Sequence, residues 1–410
     1  MSAASGEGRA KGGPRPFLLL LGLAIGLVGG AVSSGAVRDV VLAVARPVGA
    51  LWLDALTMTV VPLVFGLLVT GTAGASRSAA AGPVTIRALA WFAIILTVAC
   101  LVAAFLAEGL LSAWPVVAGT LDAGAAGPLP AAAPSGEWYH SIIPANPIKA
   151  AADTAMVPLV VFALLFGFAI SRLETASADA LLRPTGALVE AMLVLVRWVL
   201  RVGPIGVAAL AFASAASLGA GIFGTLGQYV VVVSVVCLSA TLAAYIWVAL
   251  AGRESPIAFA RAAAPVQAVA LGTQSSLASL PVMVEAAARL QIREDTAGIV
   301  LPLAVSLFRA ASAAANVAVT IYLAHMNGIA PDIGLLVLAA LVAVPVSLGA
   351  VGLPAQVSFF ATIAPVCLAI GVPVTALPLL LAIEALPDLF RTLGNVTNDL
   401  AVARIVSRGD

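Results

Sequence analysis

Long apolar runs recur from one end of this chain to the other, beginning with PFLLLLGLAIGLVGGAVSS at 16–34, and they leave few folds open. About 20 consecutive apolar residues in a helix cross the hydrocarbon core of a bilayer. Runs of that order lie at 16–34, 49–75, 86–113, 143–171, 187–216, 222–251, 295–324 and 374–403, which predicts eight spans. With 62% hydrophobic residues, 10% charged residues and a mean hydropathy of +1.13, the composition is far from that of water-soluble domains. The fold class expected is therefore an all-α polytopic membrane protein with the lipid bilayer as its first partner. A net charge of +1 gives no reason to expect nucleic acid.

Lys and Arg are retained on the cytoplasmic side of a membrane, so their distribution orients the spans. If the tail 1–15 with Arg9, Lys11 and Arg15 is inside, then Arg77 and Arg87, Arg172 and Arg183, Arg253 and Arg261, Arg289 and Arg293, and Arg404 and Arg408 also fall inside. The loop 114–142, which holds Asp122 and Glu137 but no Lys or Arg, falls outside. Both termini are expected to be cytoplasmic. The tail lacks a small-residue site placed for signal-peptide cleavage, so the first run is expected to remain as a span. Cys100, Cys237 and Cys367 sit in apolar segments without metal-like spacing and read as packing residues. His140 and His325 read as interfacial. No nucleophile, zinc, Walker or dinucleotide motif stands in a supporting context, and nothing argues for an enzyme.

Two further apolar stretches, 256–287 and 333–370, are interrupted by Ser, Gly and Pro. Non-helical backbone is tolerated at membrane depth only where protein or a water-filled cavity surrounds it. GTQSSLASLP at 272–281 and SLGAVGLPAQVS at 347–358 therefore read as the tips of two re-entrant hairpins that expose backbone amides and carbonyls. Each precedes a span with the tripeptide Leu-Phe-Arg, at 307–309 and at 389–391. A hairpin-plus-helix unit used twice is the pattern of inverted-repeat transporters, which bind substrate at the repeat interface.

The last run carries charge where a span should be apolar. At about 100° per residue, Glu384, Asp388, Arg391, Thr392, Asn395 and Asp399 project within an arc of roughly 100°. A central Arg or Asp costs about 2.5 to 3.5 kcal/mol on insertion scales, so this stripe must face protein or water. Asp388 and Arg391, three residues apart, are close enough to neutralise each other. Pro387 lacks the N–H that would reach Ile383 and is expected to loosen the helix beside Asp388. A carboxylate that can hold an ammonium and a guanidinium that can hold a carboxylate suit a zwitterionic acid.

These segments give the chain a family resemblance. MTVVPLVF at 58–65, IIPANPIKAAADTAMVPLVVFALLFG at 142–167, QSSLASLP, SLGAVGLP and DLFRTLGNVTND resemble the dicarboxylate/amino acid:cation symporter family, the glutamate transporter homologues. The resemblance implies a homotrimer in which spans 1, 2, 4 and 5 (16–75 and 143–216) form a scaffold. A transport domain of span 3 (86–113) and residues 222–405 would then move as an elevator. It further implies that Asp388 receives the substrate amino group and Arg391 its side-chain carboxylate. Thr392, Asn395 and Ser312 would help to hold the substrate, closed over by Ser275 and Ser276 of the first tip and Val351, Gly352 and Leu353 of the second. Asp399 falls where the family places a sodium-binding carboxylate.

The departures from the family lie where sodium is held. Sodium-coupled members carry Asn-Met-Asp-Gly-Thr in the seventh span, and here the matching residues are Phe308, Arg309, Ala310, Ala311 and Ser312. Ala350 replaces a family threonine and Leu277 a serine. A hard cation needs oxygen ligands, so the sodium sites are expected to be depleted, with Asp399 the one clear survivor. Arg309 is expected to supply permanently the charge that sodium would bring. Glu384, Asp399, Ser306 and Ser347 complete the residues expected to bear on cation or proton coupling. Arg309 and Arg391 against Glu384, Asp388 and Asp399 leave one negative charge, which a proton on Glu384 or Asp399 would balance. The expected function is a symporter for acidic amino acids in a bacterial-type inner membrane, without a cofactor other than a coupling sodium ion or proton. A C4-dicarboxylate or other organic-acid symporter is the alternative, and a sensor or anion-conducting protein the reading from another class.

Overall fold

A computed structural model describes residues 16–79, 82–116, 143–218, 221–350 and 355–408. The expected tail 1–15, most of the loop 114–142 and the expected substrate contacts Val351, Gly352 and Leu353 lie outside the described residues. All regular structure among the described residues is α-helical. The chain opens with α1 (Pro16–Val32), α2 (Gly35–Thr57), α3 (Val60–Ala79) and α4 (Pro83–Ala113). Next come α5 (Pro147–Ala152), α6 (Met156–Ser171), α7 (Thr175–Arg201), α8 (Gly203–Leu218) and α9 (Gly221–Leu250). The remainder is built from four successive pairs. These are α10 (Pro256–Thr273) with α11 (Ser276–Arg289), α12 (Glu294–Leu307) with α13 (Ala310–Met326), α14 (Ile333–Gly349) with α15 (Ala355–Ala369), and α16 (Leu377–Ile383) with α17 (Ala385–Ser407).

Among the described residues, four helical stretches are long and apolar enough to cross a membrane: Gly35–Arg77, Pro83–Ala113, Gly221–Leu250 and Glu294–Met326. Helices α7 and α8 make a fifth if taken together, but they meet at a bend of 60°, where the run 187–216 predicts one straight span. Helices α1, α6, α14 and α15 are apolar but shorter. The run 374–403 is absent from this set because α16 stops at Ile383 and α17 carries Asp388, Arg391, Asp399 and Arg404. The run 49–75 also differs from its prediction, since helix begins at Gly35 and breaks at Met58–Thr59. Arg38, Asp39 and Arg46 hide the first half of α2 from a hydropathy reading. Its other face is nonetheless buried through Ala45, Trp52, Leu53 and Leu56, and Trp52 Nε1 donates to Val199 O at 2.9 Å.

Helices α1, α2 and α8 pack together, and α3 packs against α6 and α7. Around α17 lie α9, α10, α11, α12 and α13, while α4 covers α9, α13 and α14. The deepest element is α13, in which every residue but His325 is buried. Its run AASAAANVA is rich in small side chains, which lets neighbouring backbones approach as they do in membrane interiors. The approach is closest at Gly394 of α17, where a Cβ would lie 2.5 Å from Ala311 Cβ and 2.9 Å from Thr241 Oγ1. Three helices thus meet beside the polar stripe.

Turn chemistry sets the first expected hairpin tip. Gln274 adopts a left-handed conformation (φ +52°), Ser275 caps α11 by accepting from Ala278 N at 3.2 Å, and Pro256 opens α10 where its missing N–H costs nothing. Helix α10 packs back on α11, and α14 likewise on α15.

Candidate functional site

Two helix breaks build the site. In one, the chain leaves the helix at Phe308 and Arg309, between α12 and α13. In the other, α16 and α17 meet at Glu384, three residues before Pro387, so the proline sits in the first turn of a new helix where no N–H is needed. Glu384 itself keeps right-handed helical dihedrals (φ −60°, ψ −21°) and its carbonyl accepts from Asp388 N at 2.9 Å, so the break ahead of Pro387 is an interruption of one residue.

Glu384 is consequently the cap residue of α17, and it faces Arg391. Arg391 Nε lies 2.5 Å from Glu384 Oε1, with both side chains at least nine-tenths buried. The contact is an ion pair rather than an aligned hydrogen bond, since both atoms are among the buried polar atoms without a hydrogen-bond partner. Tyr229 of α9 donates its hydroxyl to the other oxygen of Glu384. The pairing of Arg391 with Asp388 that the three-residue spacing allows does not form, because Glu384, one turn further back, takes the guanidinium. Asp388 is only half-buried and has no ion pair among the described residues. Burying an unpaired guanidinium would cost several kcal/mol, and the Glu384 pair is what offsets that cost here.

The rest of the guanidinium is partly committed. Arg391 Nη1 donates to Asn316 Oδ1 at 2.8 Å and to Ser312 O at 3.3 Å, while Nη2 is buried without a partner among the described residues. The Phe359 ring lies 5.9 Å below the guanidinium carbon, within cation–π reach. Asn395 is locked to α13, its Oδ1 accepting from Ser312 N at 3.1 Å and its Nδ2 donating to Ser312 Oγ at 2.8 Å. Thr392 is buried on the same face. The stripe and Ser312 are therefore brought together.

The first tip reaches the same place. Gln274 Nε2 donates to Ala385 O at 3.1 Å, which sets Ser275 and Ser276 beside the α16–α17 junction. Ser347 is buried near the end of α14, and its hydroxyl has no hydrogen-bond partner among the described residues. Ser306, in contrast, is exposed and bonded to Pro302 O of its own helix at 2.8 Å. Asp399 is fully buried, and neither of its oxygens has a hydrogen-bond partner among the described residues. The charge acting on it is Arg309, which acts on Asp388 as well.

Sequence reasoning missed Tyr229, Asn316, Ser358 and Thr362. Asn316 had a signal, because Ser312, Asn316 and Thr320 recur every fourth residue in an otherwise apolar helix. Tyr229, one of two tyrosines in α9, had none.

Two helix breaks and a charged stripe thus lie between two helical pairs, and a comparison of the whole sequence adds the family. The Sodium:dicarboxylate symporter family matches over residues 16–409. The chain belongs to that family. It is therefore a member of a group of multi-pass membrane transporters rather than of enzymes. The residues at the α12–α13 break fit the cation in the family's description poorly. Phe308, Ala310 and Ala311 bring no side-chain oxygen, Arg309 brings positive charge, and the Ser312 hydroxyl is engaged by Asn395. In this symporter-family chain, Asp399 is the one buried carboxylate still lacking a hydrogen-bonded partner among the described residues.

Proposed function

We propose that the protein is a secondary active transporter that carries small acidic amino acids such as aspartate or glutamate across a bacterial-type inner membrane. The observation that carries this reading is the contrast between the two ends of the stripe's first turn. Among the described residues, half-buried Asp388 has no ion pair and can receive an ammonium, and one turn away Arg391 Nη2 has no hydrogen-bond partner and can receive a carboxylate. Ser275, Ser276, Thr392 and Asn395 supply the remaining polar contacts.

Charge favours an amino acid over a dicarboxylate. The Glu384–Arg391 pair cancels, leaving Arg309 against Asp388 and Asp399, so the empty site carries one excess negative charge. A zwitterionic acid adds one more negative charge and a dicarboxylate adds two, each unfavourable away from water. A co-transported cation lowers that cost. With the α12–α13 break poor in oxygen ligands, the proton is the coupling ion we assign, and Glu384 and Asp399 are its candidate carriers. The C4-dicarboxylate reading rests on the electrostatic hold of Arg391 and Arg309 on Asp388, either of which reduces the pull of Asp388 on an ammonium.

We assign α1, α2, α3, α6, α7 and α8 to a scaffold and α4 and α9–α17 to a transport domain, with α14 and α15 packed on α3 where the two meet. In the homotrimer this reading implies, the latter would move past the former. Uptake of labelled aspartate into proteoliposomes, with sodium and proton gradients imposed separately, tests substrate and coupling together. Accumulation driven by an inward proton gradient and unaffected by sodium is expected. Uptake that needs sodium and ignores pH would overturn the coupling, and substrate-gated current without accumulation would overturn the transporter reading. Competition by succinate as strong as by unlabelled aspartate would favour the dicarboxylate alternative.

A further inference from the structure

Arg309 occupies a position that invites a function of its own. It is the residue at which α13 begins, and its Nη1 donates to Ser358 Oγ of α15 at 3.1 Å. Ser358 is buried and lies in the helix that returns from the second tip. From there a chain of bonds continues inward. Thr362 Oγ1 donates to Ser358 O at 2.7 Å, Asn316 Nδ2 donates to Thr362 Oγ1 at 2.9 Å, and Arg391 Nη1 donates to Asn316 Oδ1 at 2.8 Å. The two guanidiniums are thus joined through α15 and α13. Helices α12 and α13, which Arg309 joins, both pack on α17, the helix of Asp388 and Asp399, so its charge acts on those two carboxylates. A guanidinium cannot lose its charge in a protein and presents several donors in a fixed plane, so it can serve a hydroxyl and distant carboxylates at once.

We propose that Arg309 is a built-in cation that clamps α15 to the α12–α13 break through Ser358 and supplies counter-charge to Asp388 and Asp399 from within the chain. The second helical pair is then held on the site by a tethered charge, with no mobile cation needed to place it. Arg309 is a positioning residue in this scheme, since substrate is held by Asp388 and Arg391. The counter-charge half of the inference rests on the transporter reading above, whereas the clamp does not.

The test uses the full-length protein in detergent and has two readouts. In substrate-free protein, hydrogen–deuterium exchange of the α15 segment should rise roughly ten-fold in Ser358→Ala and in Arg309→Met, as expected for loss of one hydrogen bond to a charged group. Arg309→Lys, which keeps the charge and a donor, should stay near wild type. Exchange at the wild-type level in both Ser358→Ala and Arg309→Met overturns the clamp, and Ser358→Ala keeps this arm decisive should Arg309→Met not fold. Aspartate binding is then measured with choline replacing sodium. Wild type and Arg309→Lys should bind equally well in either buffer, and Arg309→Met should bind at least about ten-fold more weakly, the equivalent of one lost charge-assisted contact. A wild-type protein that binds only with sodium overturns the counter-charge. If the wild type binds aspartate in neither buffer, the proposed substrate fails, and the exchange experiment still decides the clamp.

Discussion

Arg309 stands at one helix break of the site and Arg391 about two turns beyond the other, and they solve the same problem in opposite ways. Arg391 is buried, and Glu384 pairs with it at 2.5 Å while Tyr229 holds the far side of that carboxylate. Arg309 is half-buried, bonds a neutral hydroxyl on Ser358, and meets its carboxylates only across space. The difference follows from how each break is made. At α16–α17 the break turns an acidic residue into the cap of the very helix that carries the arginine, so the pair is local. At α12–α13 the residues around the arginine are Leu307, Phe308, Ala310 and Ala311, none of which can neutralise it, so compensation must come from other helices. A local pair gives a stable, preset guanidinium. A remote one gives a charge that ties separate elements together.

The largest expected effect comes from removing the local partner. Glu384→Gln leaves Arg391 buried without a counter-ion and should destabilise the protein by about 3–5 kcal/mol, read as a drop in thermal unfolding temperature in detergent. The same variant frees Arg391 Nε, so the rise in unfolding temperature on adding aspartate should exceed that of wild type. Unchanged stability would mean that Arg391 is solvated, and the contrast between the two arginines would collapse. A smaller effect is expected where the two are joined. Thr362→Val removes the acceptor of Asn316 Nδ2 and the donor to Ser358 O, at a cost of about 1–3 kcal/mol for the amide left unpaired. Combined with Ser358→Ala, it should cost less than the two single losses together, because both act on one chain of bonds. Strict additivity would show that the bridge between the arginines carries no energy.

Much of this could be read from the sequence, and the rest could not for definite reasons. Hydropathy located the apolar runs, since lipid imposes length and apolarity on each span separately. It could not see the breaks at Arg309 and Glu384, because one or two residues hardly alter an average over twenty. The stripe from Asp388 to Asp399 was legible because one helix carries it and a period of 3.6 fixes its face. Which acid would meet Arg391 was not, since the choice between Glu384 and Asp388 depends on the break that makes Glu384 a cap. Tyr229, Ser358 and Thr362 reach the site from segments far away in sequence. All three sit in largely apolar helices, where a polar residue that reaches a site is indistinguishable beforehand from one that bonds its own backbone, as Ser306 does.

The smallest effect on stability is expected at the carboxylate that Arg309 faces. Asp399 is fully buried and neither oxygen is hydrogen-bonded among the described residues, so no described residue in contact with it neutralises its carboxylate. Asp399→Asn keeps the shape and removes a charge that is costly to bury, and the change in unfolding free energy should stay within about 1 kcal/mol. Transport, in contrast, should fall sharply, because Asp399 balances Arg309 and is a candidate carrier of the coupling ion. A loss of stability as large as that of Glu384→Gln would show that Arg309 and Asp399 form a true ion pair, and the two arginines would then be alike. Stability retained with uptake lost would show instead that one site keeps two kinds of buried charge, one neutralised to hold substrate and one left open for the work of coupling.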